Sequence, residues 1–152
     1  MEMISNEEKI TQAVLVSVDT GDYDAEASLA ELKELVKSAG AEPVFTVTQN
    51  LKRPETGTYV GTGKLQEISD ICKQQEIDLL VFDCELSPTQ IRNIEAETDT
   101  RTIDRTMLIL DIFALRARSK EGKLQVELAQ LKYLMPRLTG KGVAMSQIGR
   151  AS

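Results

Sequence analysis

Residues 78–95 read DLLVFDCELSPTQIRNIE, and the order of parts in this stretch decides the fold. Asp78–Asp83 is a strand whose continuous apolar centre suits burial on both faces, as in a parallel sheet. Ser87 then opens a helix. It stands at the N-cap position, with Pro88 at the first helical position and Gln90 three residues after the cap, the capping-box pattern. Ile91 and Ile94 give that helix a short inner stripe. A doubly buried strand followed by a capped helix is half of a βαβ unit.

The same alternation extends toward the N-terminus. Ala13–Val18 (AVLVSV) reads as a buried strand ending at Asp19 and Gly21. Asp24 caps a helix in which Leu29, Leu32, Val36 and Ala39 share a face, and Gly40 stops it. Pro43–Thr48 (PVFTVT) is a second strand, and Gln49–Gly57 is a polar loop broken by Pro54 and Gly57. A short extended piece, Thr58–Val60, leads into a second helix over Lys64–Gln75, with Leu65, Ile68 and Cys72 inward. Thr100–Ile103 is a short fourth strand. The fold class is therefore α/β, a small parallel sheet of about four strands flanked by helices.

From Asp104 the pattern changes. Leu108, Ile112 and Leu115 are spaced 4 and 3, and Leu124, Leu128, Leu131 and Met135 are spaced 4, 3 and 4, as in apolar helix seams. The seams are out of phase. Either one long helix rotates its apolar face, or Ser119–Gly122 interrupts it. Because a mid-helix Gly costs only about 1 kcal/mol relative to Ala, one continuous projecting helix ending near Pro136 is the expectation, about 45 Å long. The chain thus divides into an α/β part (1–103), a long helix (104–138) and a basic glycine-bearing tail (139–152).

Several function classes are excluded. The 152 residues contain no histidine, which removes Ser-His-Asp and Cys-His nucleophiles and the usual general base near neutral pH. Cys72 and Cys84 are too few for a disulfide framework and read as reduced cytosolic thiols. No apolar run approaches the roughly 18 residues needed to span a bilayer, and MEMISNEEKI lacks the features of a secretory leader. A cytoplasmic location is expected.

The net charge of −6 hides an asymmetry. Residues 1–115 hold 10 Lys/Arg against 22 Asp/Glu, whereas residues 116–152 hold 8 against 2. An acidic body with a basic end points to a polyanion met at that end. In the tail, Arg137, Lys141, Gly142, Ser146, Gln147 and Arg150 are candidate RNA contacts, since cations on flexible backbone follow phosphates.

Gly61, Gly63 and Lys64 lie in a turn before a helix, where amide groups attract anions. The run fails the phosphate-loop pattern, which requires Gly where Thr58 stands and Ser or Thr where Leu65 stands. A tight strand-to-helix turn accounts for it better, and a ligand or phosphate turn is the alternative. Asp19 and Asp83, with Glu85 nearby, sit after strands, where α/β folds place functional groups; turn capping is their plainer role.

Two long runs carry a family resemblance. Val81–Glu95 (VFDCELSPTQIRNIE) resembles a signature of the HflX family of ribosome-associated GTPases. So does Asp104–Ala114 (DRTMLILDIFA), continuing through Arg116–Ser119 and Glu121–Leu131. Tyr59–Leu65 (YVGTGKL) and Pro136–Arg137–Leu138 are similar to further family stretches. The resemblance implies an N-terminal domain with a parallel α/β part and a helical hairpin, followed by a Ras-like G domain using GTP and Mg²⁺. It also implies binding to the large ribosomal subunit and its RNA, and a part in separating or rescuing ribosomes under stress. On this reading the chain ends inside the hairpin loop, lacks the G domain and does not itself hydrolyse GTP. Leu108, Ile112, Leu115, Leu124, Leu128, Leu131 and Met135 would then be a helix interface missing its mate, and the isolated chain would self-associate through it. Two alternatives remain at this level: a small-ligand or nucleotide-sensing regulatory domain, and a module whose long helix docks a protein.

Overall fold

The computed structural model describes residues 9–138. Strand β1 (Thr11–Asp19) is followed by α1 (Ala25–Ser38), β2 (Ala41–Asn50), α2 (Thr62–Gln74), β3 (Leu79–Phe82), α3 (Pro88–Thr98) and β4 (Arg101–Asp104). The chain continues through α4 (Arg105–Arg116) and α5 (Lys120–Leu134), then a 3-10 turn at Met135–Arg137. The four strands are all parallel, in the order β2-β1-β3-β4.

Chain direction places the helices. The step from β1 to β2 runs one way across the sheet and the steps to β3 and β4 run the other, so right-handed crossovers put α1 on one face and α2 and α3 on the opposite one. Accordingly α1 packs with α4, and α2 with α3. The strands fill the space between with Val14, Leu15, Val16, Leu80, Val81 and Phe82, all fully buried. Each such side chain contributes about 1.5–3 kcal/mol relative to exposure.

The local signals act where expected. Ser87 Oγ accepts from the Gln90 amide, and Gln90 Oε1 accepts from the Ser87 amide, completing the capping box. Asp24 caps α1 through the Ala27 amide. Gly40 stops α1 at φ +92°, a conformation that side chains disfavour. Tyr59 adopts φ +68° in a loop that folds back on itself through the Glu55–Tyr59 bridge. The extended piece at Thr58–Val60 therefore belongs to this loop and not to the sheet.

The parallel sheet, its flanking helices and a long C-terminal helix are present, but the long helix begins at Lys120 rather than at the end of β4. Ala117 has extended backbone (φ −66°, ψ 134°), and Ser119 caps a new helix by accepting from the Gly122 amide at 2.9 Å. The expected single 45 Å helix is thus two helices of about 18 and 22 Å. Tyr133, in the last turn of α5, hydrogen-bonds Asp104 at the start of α4, so the two run antiparallel. The phase mismatch between the seams has its cause here. Leu108 and Ile112 are buried beneath α1 and the sheet, whereas Leu124, Leu128 and Leu131 lie on a helix that turns back.

Candidate nucleic-acid interface

The fold-back is held by one polar cluster at the carboxyl end of β4. Asp104 is fully buried and accepts from the Leu86 amide (2.9 Å), the Met107 amide (2.9 Å) and the Tyr133 hydroxyl (2.7 Å). Burial raises the Asp104 pKa, while these donors and the Arg137 charge oppose the rise. Arg137 donates to the carbonyls of Leu86 and Tyr133, each at 3.0 Å, and its guanidinium lies 3.8 Å from the centre of the Tyr133 ring. The Arg137 side chain is therefore engaged in anchoring α5. Of the expected RNA contacts it alone lies among the described residues; Lys141, Gly142, Ser146, Gln147 and Arg150 lie outside them.

A cluster of exposed cations lies elsewhere. Arg116, Arg118, Lys120 and Lys123 occupy the turn from α4 to α5, with Lys132 further along α5, and all five are exposed. Ion pairs elsewhere hold Lys9, Lys37, Lys64 and Arg105, and among the described residues none of these five takes part in one. Only Glu121 opposes the four at the turn. Because α4 runs back from the carboxyl ends of the strands, this basic tip lies at the opposite end of the molecule from Asp104. The charge reversal in the sequence becomes a localised positive end on an acidic body, a geometry that attracts phosphate backbone.

Beside that tip α5 carries an uncovered apolar stripe. Leu124, Leu128, Leu131 and Met135 are 59, 53, 54 and 62% exposed, while Gln130, Tyr133 and Arg137 on the other side of the helix turn inward. Leu115 is exposed as well, at 39%. The seven-residue seam divides: Leu108 and Ile112 belong to the core, and the other five face solvent.

The strand-end carboxylates are occupied. Asp83, 2% exposed, accepts from Ser28 Oγ at 2.8 Å, Ser17 Oγ at 3.2 Å and Arg105 at 2.9 Å. Arg105 also pairs with Glu31 of α1. These side chains fill the crevice between β1 and β3, where the strand order reverses and α/β folds usually admit ligands. Asp19 accepts from the Gly21 amide, and Glu85 from Thr106. An open cleft of about 440 Å³ remains beside β1 and β2, lined by Asp19, Thr20, Gly21, Asn50, Leu51 and Lys52.

At the GTGK turn, Gly61 is the N-cap of α2, and its amide donates to Gln49 Oε1 at 2.9 Å. Lys64 pairs with Glu67 at 3.2 Å, and no atom stands within 4 Å of where a Gly63 Cβ would be. One amide of this turn is thus engaged and its lysine is paired with a neighbouring carboxylate. The sequence missed the Asp104–Tyr133–Arg137 cluster and the Asp83–Arg105 pair. Both join residues more than 20 positions apart, and only the observed packing brings them together.

A family profile described as GTP-binding GTPase N-terminal matches residues 26–114, and one described as GTP-binding GTPase Middle Region matches residues 116–152. The chain belongs to the HflX family of GTPases. The boundary between the two matches falls at the α4–α5 turn. The chain is 51% identical over 142 residues to GTPase HflX of Alkalihalophilus pseudofirmus, covering 92% of this chain and 34% of that protein. It is 51% identical over 128 residues to GTPase HflX of Escherichia coli K12, covering 84% and 30%. Among solved structures it resembles SsGBP in complex with GDP, at TM-score 0.66 and 32% identity over 85% of this chain and 36% of that one. It also resembles a GTP-binding protein of Sulfolobus solfataricus in complex with GDP, at TM-score 0.57 and 33% identity over 84% and 38%. The chain thus spans about a third of the length of its HflX relatives. No helix among the described residues is long and apolar enough to cross a membrane.

Proposed function

We propose that this chain is the ribosome-docking part of an HflX-type GTPase. It binds the large ribosomal subunit through ribosomal RNA and contributes to ribosome splitting or rescue under stress. GTP hydrolysis with Mg²⁺ belongs to the remainder of such a protein. The observation that carries the reading is the basic tip: Arg116, Arg118, Lys120 and Lys123 are exposed, and outside every ion pair among the described residues, on a body that is otherwise strongly acidic. The exposed stripe of α5 supports it further. A following helical segment laid on Leu124, Leu128, Leu131 and Met135 would complete the hairpin implied by the resemblance and hold the tip rigidly.

Co-sedimentation with large ribosomal subunits across a salt series tests this. Binding is expected to weaken steeply with salt, and Ala at all four tip positions is expected to lower the slope of log K against log salt by about 3. Pelleting that ignores both salt and the substitutions would remove the RNA reading. Saturable nucleotide binding by the isolated chain, lost on changing Lys52 or Gly21 in the β1–β2 cleft, would favour a ligand-sensing domain instead.

A further inference from the structure

The two edges of the sheet differ. Edge strand β4 has four residues, and Thr102, Ile103 and Asp104 are buried. Edge strand β2 has ten residues, pairs only with β1 among the described residues, and leaves Val44 (37%), Phe45 (42%), Thr46 and Thr48 exposed. Proteins ordinarily blunt such an edge with lysine, proline, a bulge or a short strand, because its outward amides and carbonyls are a template for another strand. On β2 the protection is confined to the amino end. There Pro43 and a register shift break the ladder opposite Ala13 and Val14. From Phe45 to Asn50 the register with Val14–Asp19 is regular, and the whole strand carries a single charge, Glu42.

We infer that the outer edge of β2 pairs antiparallel with β2 of a second copy of this chain, about a twofold axis through Thr46, joining two four-stranded sheets into one of eight. The occupant follows from the sequence of the edge itself. Side chains alternate between faces with period two, so a twofold perpendicular to the sheet passes through a residue, not between two. Centred on Thr46, the facing pairs are Phe45 with Val47, Val44 with Thr48, and Thr46 with its own mate. Aromatic–β-branched and Thr–Thr pairs are the favourable cross-strand combinations. Glu42 faces Asn50, so no like charges meet. The registers on either side are less favourable: an axis through Phe45 sets Pro43 against Val47, and one through Val47 sets Phe45 against Gln49. This surface lies on β2 and is separate from the α5 stripe.

The test uses the full-length protein. Sedimentation equilibrium is expected to show a reversible dimer, and Thr46→Lys, which sets two ammonium groups together at the axis, to weaken it at least about tenfold. Far-UV circular dichroism checks that the variant stays folded, and Thr46→Val is expected to keep the dimer. Register is read by cysteine pairing. Paired strands bring the two position-46 Cα atoms within about 4.5–5.5 Å, inside disulfide range, so Thr46→Cys is expected to oxidise to a covalent dimer. Asn50→Cys is not, because its two copies lie about 26 Å apart. A monomeric wild type, a dimer indifferent to Thr46→Lys, or equal cross-linking at positions 46 and 50 would each overturn the proposal.

Discussion

The Tyr133 hydroxyl donates to Asp104 Oδ2 at 2.7 Å, bonding the last turn of α5 to the residue that caps the first turn of α4. This contact sets the direction of α5 and so decides where the basic tip points. A hydrogen bond to a charged acceptor contributes about 1.5–3 kcal/mol. Tyr133→Phe is therefore expected to destabilise the fold by about that amount in urea unfolding. It is also expected to raise amide exchange along Lys120–Leu134 well above that of β1–β4. Equal exchange in variant and wild type would mean that α5 is held by something else.

Asp104 gives the same junction a pH dependence of known sign. Burial, the largest influence, raises its pKa in the folded chain. The folded state thus binds the proton more tightly than the unfolded one. The contribution to stability is complete below the ordinary aspartate value and is lost as pH rises through the folded pKa. Asp104→Asn removes this titration. Urea unfolding of both proteins from pH 4 upward is expected to show the difference shifting steadily in favour of the variant. A constant offset would contradict the direction of the shift.

The strands, their parallel sense and the capped helices were legible because each rests on a local pattern: the apolar run 79–82, the Ser87–Gln90 box, the Asp24 cap and the Gly40 stop. The fold-back after Arg116 was not. Its visible clue, the phase slip between Leu115 and Leu124, fits a rotated helix as well as a broken one, and a single glycine does not choose between them. The choice is made by Tyr133 and Arg137 reaching Asp104 and Leu86, 29 and 51 residues away. For the same reason Arg137, chosen from charge alone as an RNA contact, is an anchor, and the exposed cations that cluster are those of the turn.

Asp83 holds three elements together, since its carboxylate accepts from Ser17 on β1, Ser28 on α1 and Arg105 on α4. Removing the shared acceptor strands the Ser17 and Ser28 hydroxyls, at about 1–3 kcal/mol per unsatisfied buried group, while Arg105 keeps Glu31. Asp83→Ala is expected to lose stability on that scale. Arg105→Met is expected to cost less in the Asp83→Ala background than in the wild type, because its ion pair with Asp83 is already gone. Additive losses in the double variant would show that the two side chains are not coupled.

The α5 stripe predicts how the isolated chain behaves. Four side chains more than half exposed on one line of a helix form an apolar surface that water disfavours, and a second molecule can cover it. The 152-residue chain is expected to self-associate as its concentration rises in light scattering. Leu128→Lys, at the middle of the stripe, is expected to reduce that association sharply while leaving the melting temperature nearly unchanged, since the side chain touches little of its own fold. Extending the chain through the next helical segment is expected to suppress this association without any substitution and to leave only the β2 dimer, which separates a missing intramolecular mate from the edge pairing of β2. A wild-type chain that stays monomeric at high concentration would rule out the stripe as an association surface.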